Sequence, residues 1–87
     1  MNQSILFSDD PCWHEQLNQI WFSAQCQGAL IVCIVHVSLL ERLAGKSLDD
    51  TTDPLSLFSQ YRFDIEDLAE ELIEAEQFDT DGNLSLC

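Results

Sequence analysis

Four cysteines and two histidines are the side chains of this 87-residue chain best suited to metal or redox chemistry. Cys12 and His14 stand close in sequence, as do Cys33 and His36, and Cys26 lies between the two pairs. Thiolate and imidazole are common zinc ligands, but a tetrahedral site needs four ligands around one ion. Because side chains alternate between the faces of a strand, Cys33 and His36 would point in opposite directions if they shared a strand. We therefore predict no metal and no other cofactor. A metal-binding or redox protein built on Cys12, His14, Cys26 and Cys33 is kept as an alternative hypothesis.

A catalytic site would combine a cysteine or serine nucleophile with a histidine and an orienting acid. These residue types are all present, but no motif in the sequence places them together. The segment 79–83 is faintly similar to a calcium loop, yet it lacks the spacing of glycine and glutamate that an EF-hand loop requires. We predict that this segment is a turn and that the protein is not an enzyme.

The net charge of −13 arises from 16 acidic and only three basic residues. Such a chain repels phosphate, so we expect it to bind neither nucleic acid nor an anionic membrane surface. Its electrostatic field would attract a basic protein instead. The simpler alternative is that the charge serves solubility alone, because net charge determines neither a fold nor an activity.

Many of the acidic residues fall on a helix predicted over residues 53–77, whose apolar residues step by three and four. The apolar stripe consists of Phe58, Tyr61, Ile65, Leu68, Leu72 and Ala75. The predicted partner-binding face on the other side consists of Glu66, Asp67, Glu70, Glu71 and Glu74. Glutamates at four-residue spacing repel each other by about 0.2–0.5 kcal/mol per pair, which costs stability without an obvious structural return. The alternative is an ordinary solvated helix face.

Phe63 projects among these acids and not with the apolar stripe. An exposed aromatic ring needs a neighbour, so Phe63 is a candidate self-interface. The second hypothesis is therefore a homo-oligomer that associates through Phe63 or through an exposed edge strand.

The remaining pattern predicts four strands. Residues 12–18 are predicted to form either a loop or a single helical turn, and residues 25–28 are predicted to form a turn. The strands are predicted over 5–7, 20–24, 29–37 and 83–86, the last at an edge of the sheet. The strand over 29–37 is apolar on both alternating faces, which predicts a central strand covered on both sides.

Two helices are expected between the third and fourth strands. A short helix over 38–44 would begin with a capping box formed by Ser38 and Glu41 and end at Gly45. The long helix would begin at Asp53, followed by proline at its first position, and continue unbroken to about residue 77. A restart with Asp64 as the N-cap is the alternative.

These elements predict one α+β domain over residues 1–87. Its small antiparallel sheet, with the order β-β-β-α-α-β, would carry a short and a long helix on one face. Residues 1–4 lack the basic start of a signal peptide, and the longest nearly apolar run, 29–40, is too short to span a bilayer. A cytoplasmic location with reduced thiols is therefore expected.

The hydrophobic segments also carry a family resemblance. They are 5–7 with Trp13, 20–24, Gly28 with the strand through Cys33, and 62–66 with the glutamate-rich helix that follows. With these segments the chain resembles the small proteobacterial proteins of domain-of-unknown-function family 1488 over nearly its whole length. The resemblance implies an α+β fold of this order and transfers no activity, cofactor or catalytic residue. The leading hypothesis is a non-enzymatic protein-binding or regulatory module with a basic partner, acting as a monomer or a homodimer.

Overall fold

The structure, a computed structural model, describes residues 5–87 as one mixed sheet with helices on one face. The strands are β1 (Ile5–Phe7), β2 (Cys12–His14), β3 (Gln19–Cys26), β4 (Ala29–His36) and β5 (Leu84–Leu86). The helices are α1 (Val37–Ala44), α2 (Pro54–Gln60) and α3 (Arg62–Glu74), and a single 3-10 turn covers Glu15–Leu17. Residues 1–4, on which the signal-peptide expectation rests, lie outside the described residues. No helix within residues 5–87 is both long and apolar enough to cross a membrane.

The centre of the sheet is an antiparallel hairpin of β3 and β4, paired from Gln19 with His36 to Cys26 with Ala29. Its turn is shorter than the four residues predicted, because only Gln27 and Gly28 lie outside the strands. Both have positive φ, 53° and 83°, as the two-residue hairpin turn that matches the twist of paired strands requires.

The edge of the sheet beside β3 is one interrupted strand made of β1 and β2, both antiparallel to β3. Residues 12–14, left open between loop and helical turn, are thus a strand, and the single helical turn follows them. In the interruption, the Ser8 amide donates to the Ser23 carbonyl at 2.9 Å, and the Ser8 hydroxyl accepts from the Ser23 amide at 3.0 Å. This exchange keeps the two halves of the edge in register.

The opposite edge is β5, which confirms the predicted edge strand but pairs parallel with β4. The α+β class and the helices on one face are confirmed, whereas the antiparallel prediction is wrong for this pair. The chain leaves β4 into the helices and returns through them, and such a crossover brings the next strand back in the same direction. The alternation of apolar and polar residues shows which side chains share a face of a strand. It does not show whether the strand runs parallel or antiparallel to its neighbour.

The core lies between the sheet and the helices. From the strands it takes Ile20, Phe22, Ala24, Cys26, Ile31, Cys33, Val35, Leu84 and Leu86, and from the helices Leu39, Leu40, Leu57, Phe58, Ile65, Ala69 and Ile73. The other face of β4 is not covered: Leu30 is 72% exposed, and Val32 and Ile34 are only half-buried. The prediction of a strand covered on both sides is therefore wrong.

Helix α1 begins earlier than predicted and without the capping box. Its N-cap is His36, whose side chain makes no capping hydrogen bond. The Glu41 carboxylate instead accepts from the backbone amide of Leu48 at 3.0 Å, which holds the loop after the helix. Gly45 ends the helix in the left-handed conformation with φ 73°, as predicted.

The predicted long helix is interrupted at Tyr61, so its prediction as one continuous helix is wrong. Asp53 is the N-cap of α2, accepting from the Leu55 amide at 3.2 Å, but Tyr61, at φ −108° and ψ 22°, separates α2 from α3. The restart is therefore at Tyr61 and not at Asp64. Only Tyr61 lies between the two helices, so the helical spacing of the apolar residues is preserved across it. Both α2 and α3 therefore contribute side chains to the core. Helix α3 ends at Glu74, and Glu76 turns away with φ 57°.

Candidate functional site

The cysteines and histidines are divided between the two faces of the sheet. Cys12 and His14 pair with the outward-facing Trp21 and Gln19, whereas Cys33 pairs with the core residue Phe22. Within the part of the chain that the structure describes, no group of three or more metal-ligating side chains converges. Burial raises the pKa of the Cys33 thiol to about 12, so at neutral pH it is a small apolar core residue and not a nucleophile.

One histidine does meet a hydroxyl, through a contact that the sequence did not indicate. His36 Nε2 lies 2.9 Å from the Ser85 hydroxyl, because β5 returns beside β4 and places Ser85 opposite Ile34. No carboxylate among residues 5–87 hydrogen-bonds to the His36 ring, and the pair is exposed to solvent. An imidazole and a hydroxyl without an orienting acid are two parts of a three-part nucleophilic site.

A groove of about 640 Å³ opens beside this end of the sheet, between the 3-10 turn, the start of α1 and the loop before α2. Two of its acids already have local partners. Glu41 accepts from the Leu48 amide, and Asp49 accepts from the amide and hydroxyl of Thr51 and from the hydroxyl of Thr52. The Thr51 and Thr52 hydrogen bonds lower the pKa of Asp49, which therefore stays ionised as part of the loop.

The acidic face predicted on the long helix is present on α3, with one exception. Asp67, Glu70, Glu71 and Glu74 are exposed, and these four residues are called the acidic face below. Glu66 is partly buried, and its carboxylate forms an ion pair with Arg62, whose Nε lies 2.7 Å away. It belongs to the packing of α3 and not to the free surface.

Arg62 ties α3 to the interrupted edge of the sheet. Besides Glu66, its guanidinium donates to the Ser8 carbonyl at 2.8 Å and to the Asp9 carboxylate at 2.9 Å. The Glu66 hydrogen bond is the main reason that the pKa of Arg62 is raised. A planar fork with several donors suits three acceptors at once, which a lysine cannot match.

Phe63 lies on the line of the acidic face. Its side chain is 81% exposed, the largest exposure among the large apolar residues that the structure describes. Residues at i, i+4, i+7 and i+11 share one side of a helix, so Phe63 stands in one row with Asp67, Glu70 and Glu74. The sequence prediction placed this ring correctly.

The outer side of the sheet is a surface that the sequence prediction missed, because β4 was expected to be covered there. By strand register it carries Leu6, Cys12, His14, Gln19, Trp21, Ser23, Gln25, Leu30, Val32, Ile34, His36 and Ser85. None of these residues is buried, and this surface is called the open face below. Two aromatic rings near its centre are in contact: the ring centroids of His14 and Trp21 lie 4.3 Å apart. Trp21 Nε1 also donates a hydrogen bond to Gln19 Oε1 at 2.8 Å.

The fold and the pattern of these surfaces can be compared with known proteins. The family described as "Protein of unknown function (DUF1488)" matches residues 5–86. The chain belongs to the DUF1488 family. The resemblance stated from the hydrophobic segments is thereby confirmed.

Known proteins resemble the chain along its length. A protein named "Uncharacterized protein YrdB" from Escherichia coli K12 is 35% identical over 83 residues, covering 94% of both chains, and its counterpart from Shigella flexneri is 34% identical. The crystal structure of a DUF1488 protein of unknown function from Shewanella loihica PV-4 superposes with a TM-score of 0.87. It is 46% identical and covers 99% of this chain and 94% of its own. The chain thus belongs to a family of unknown function.

Proposed function

We propose that the protein is a non-enzymatic binding module of the cytoplasm that docks a basic protein partner through the acidic face of α3 and Phe63. The observation that carries the proposal is the 81% exposed ring of Phe63 in one row with three exposed carboxylates. Aromatic rings that are desolvated at the centre of an interface supply much of its binding energy, while charges around them steer the encounter.

The position of the acids on α3 supports a role beyond solubility. Glu70, Glu71 and Glu74 occupy the last two turns, where the helix dipole presents its negative end, and the last turn has no basic residue. Glu70 and Glu74 also repel each other at four-residue spacing. An arrangement that destabilises its own helix is expected where a partner neutralises it.

A self-interface at Phe63 is disfavoured by the same surroundings. Two copies joined through this ring would bring Asp67 and Glu70 of one copy against the acids of the other. Like charges opposed across an interface cost several kcal/mol. A partner with lysine or arginine around an apolar pocket would instead pair these acids.

The test is capture from a lysate of the source organism with the tagged protein at about 50 mM and about 200 mM salt. The proposal expects a basic protein that is retained at the lower salt and released at the higher, because exposed ion pairs are screened. The variant Glu70→Lys/Glu74→Lys and the variant Phe63→Ala should each lose it, whereas Asp50→Lys/Asp81→Lys, matched in net charge, should retain it. Capture that survives the Glu70→Lys/Glu74→Lys and Phe63→Ala changes would contradict the proposal.

A further inference from the structure

The sheet of this very acidic protein contains no charged residue. All 16 acidic and all three basic residues lie outside the five strands. On the inner side this is expected of a core. On the outer side it is unusual, because a solvated sheet face ordinarily alternates apolar residues inside with polar and charged residues outside.

The open face also carries a row of apolar residues. Leu30, Val32 and Ile34 follow one another along β4, and Trp21 lies opposite Ile34. Leu6 on β1 is separated from Leu30 by Gln25. Leu6 and Leu30 are 68% and 72% exposed. The helices occupy the other side of the sheet, and on this side the segment that contains Ser8 and Asp10 borders a shallow pocket beside Trp21, Ser23 and Val32. A contiguous exposed apolar surface of this kind marks an interaction site.

We propose that the open face is a homodimer interface that binds the open face of a second copy of this chain. The charge distribution selects this occupant. Two copies that each carry −13 repel each other through every acidic surface. The strands of the open face carry no carboxylate, and Asp10 stands at its border beside Trp21, Ser23 and Val32. A basic partner would be drawn to the acids and would gain no charge pairing on an uncharged sheet.

The size of the open face is sufficient for a dimer of modest affinity. Strands β3 and β4 have eight residues each, and at about 3.3 Å per residue they extend roughly 26 Å. Four strand positions at about 4.8 Å give a width near 19 Å. Because β5 has only three residues, the face offers on the order of 400 Å² per copy and about 800 Å² in total, the size of a weak and transient interface. The dimer is expected to exchange with monomer and not to be obligate.

A two-fold axis fits such a face, because the same patch serves both copies and needs no second complementary surface. Trp21 lies near the centre of the open face. Tryptophan is among the residue types most enriched at interface positions of high binding energy. The dimer leaves the acidic face of α3 outside, since the helices lie on the far side of the sheet. The inference therefore stands independently of the proposed partner.

Sedimentation equilibrium of the full chain from about 1 to 500 µM, at 50 and 500 mM salt, tests the proposal. We expect a monomer–dimer equilibrium that tightens as salt rises, because screening removes the repulsion between the acidic copies. The variant Leu30→Glu/Val32→Glu places like charges across the interface and should weaken dimerisation by about a hundredfold or more. The double variant Phe63→Asp/Ser59→Asp, the control on α2 and α3 that also adds two negative charges, should leave it unchanged, as should Phe63→Asp alone.

A second measurement needs no variant. Methyl NMR of the wild-type chain on dilution should shift the signals of Val32 and Ile34 while those of buried Ile65 stay fixed. A protein that stays monomeric to 500 µM would overturn the proposal. So would a dimer that weakens with salt, or one that Phe63→Asp abolishes and Leu30→Glu/Val32→Glu spares.

Discussion

Replacing Glu74 by lysine should stabilise the protein, although it changes an exposed residue that contacts no partner in the described fold. Glu74 is the last residue of α3, beside the negative end of the helix dipole and four residues after Glu70. A basic side chain at this end stabilises by about 0.3–1 kcal/mol, and the Glu70–Lys pair adds about 0.2–0.5 kcal/mol. The total of about 1 kcal/mol raises the melting temperature of a domain of this size by roughly 4–8 °C.

Thermal unfolding followed by circular dichroism measures this shift. Asp50→Lys is the control, because it changes the net charge by the same amount in a loop and reports only the relief of overall repulsion. The Glu74→Lys gain should exceed that of the control at low salt and shrink at about 0.5 M salt, where surface charges are screened. Equal gains for both variants would refute the argument from the helix end.

Three further perturbations test the packing and the titration. Leu86→Ala in β5 removes a side chain that is 0% exposed and should cost about 2–5 kcal/mol in urea unfolding, whereas Leu30→Ala on the open face should stay within about 0.5 kcal/mol. Arg62→Lys cannot serve the Glu66, Ser8 and Asp9 acceptors together, so it should cost about 1 kcal/mol and speed amide exchange in the interruption between β1 and β2. The thiol of Cys33 ionises near pH 9 when unfolded and only near pH 12 when folded, so its contribution to stability is present below pH 9 and is lost as the pH rises to 12. Cys33→Ala should flatten this alkaline fall in the free energy of unfolding.

The sequence predicted the elements whose signals are local. Gly45 ended α1 because a left-handed residue is needed there, and Asp53 with Pro54 began α2 through capping geometry. Except for Glu66, the acidic residues of the predicted face and Phe63 were placed on the exposed side of α3, because helical periodicity is regular. Each of these predictions depends on residues within a few positions of one another.

The predictions that failed depend on contacts between distant segments. Whether β4 is covered on one side or two is decided by where the helices pack, and an apolar strand looks the same in either case. The parallel pairing of β5 follows from the crossover, and the His36–Ser85 contact follows from that pairing. The interruption at Tyr61 left no trace in the apolar spacing, because a single residue out of helical geometry preserves the phase of the stripe.

The parallel pairing of β5 has a consequence for synthesis on the ribosome. Val35 of β4 and Leu86 of β5 lie side by side but about fifty residues apart in the chain, so they are made about 3–10 s apart at usual rates of translation. Through that interval the hairpin of β3 and β4 can form, but the β4 edge that β5 will cover stays open beside Cys33 and Val35. The nascent chain therefore exposes an unpaired, apolar strand edge until residue 86 emerges.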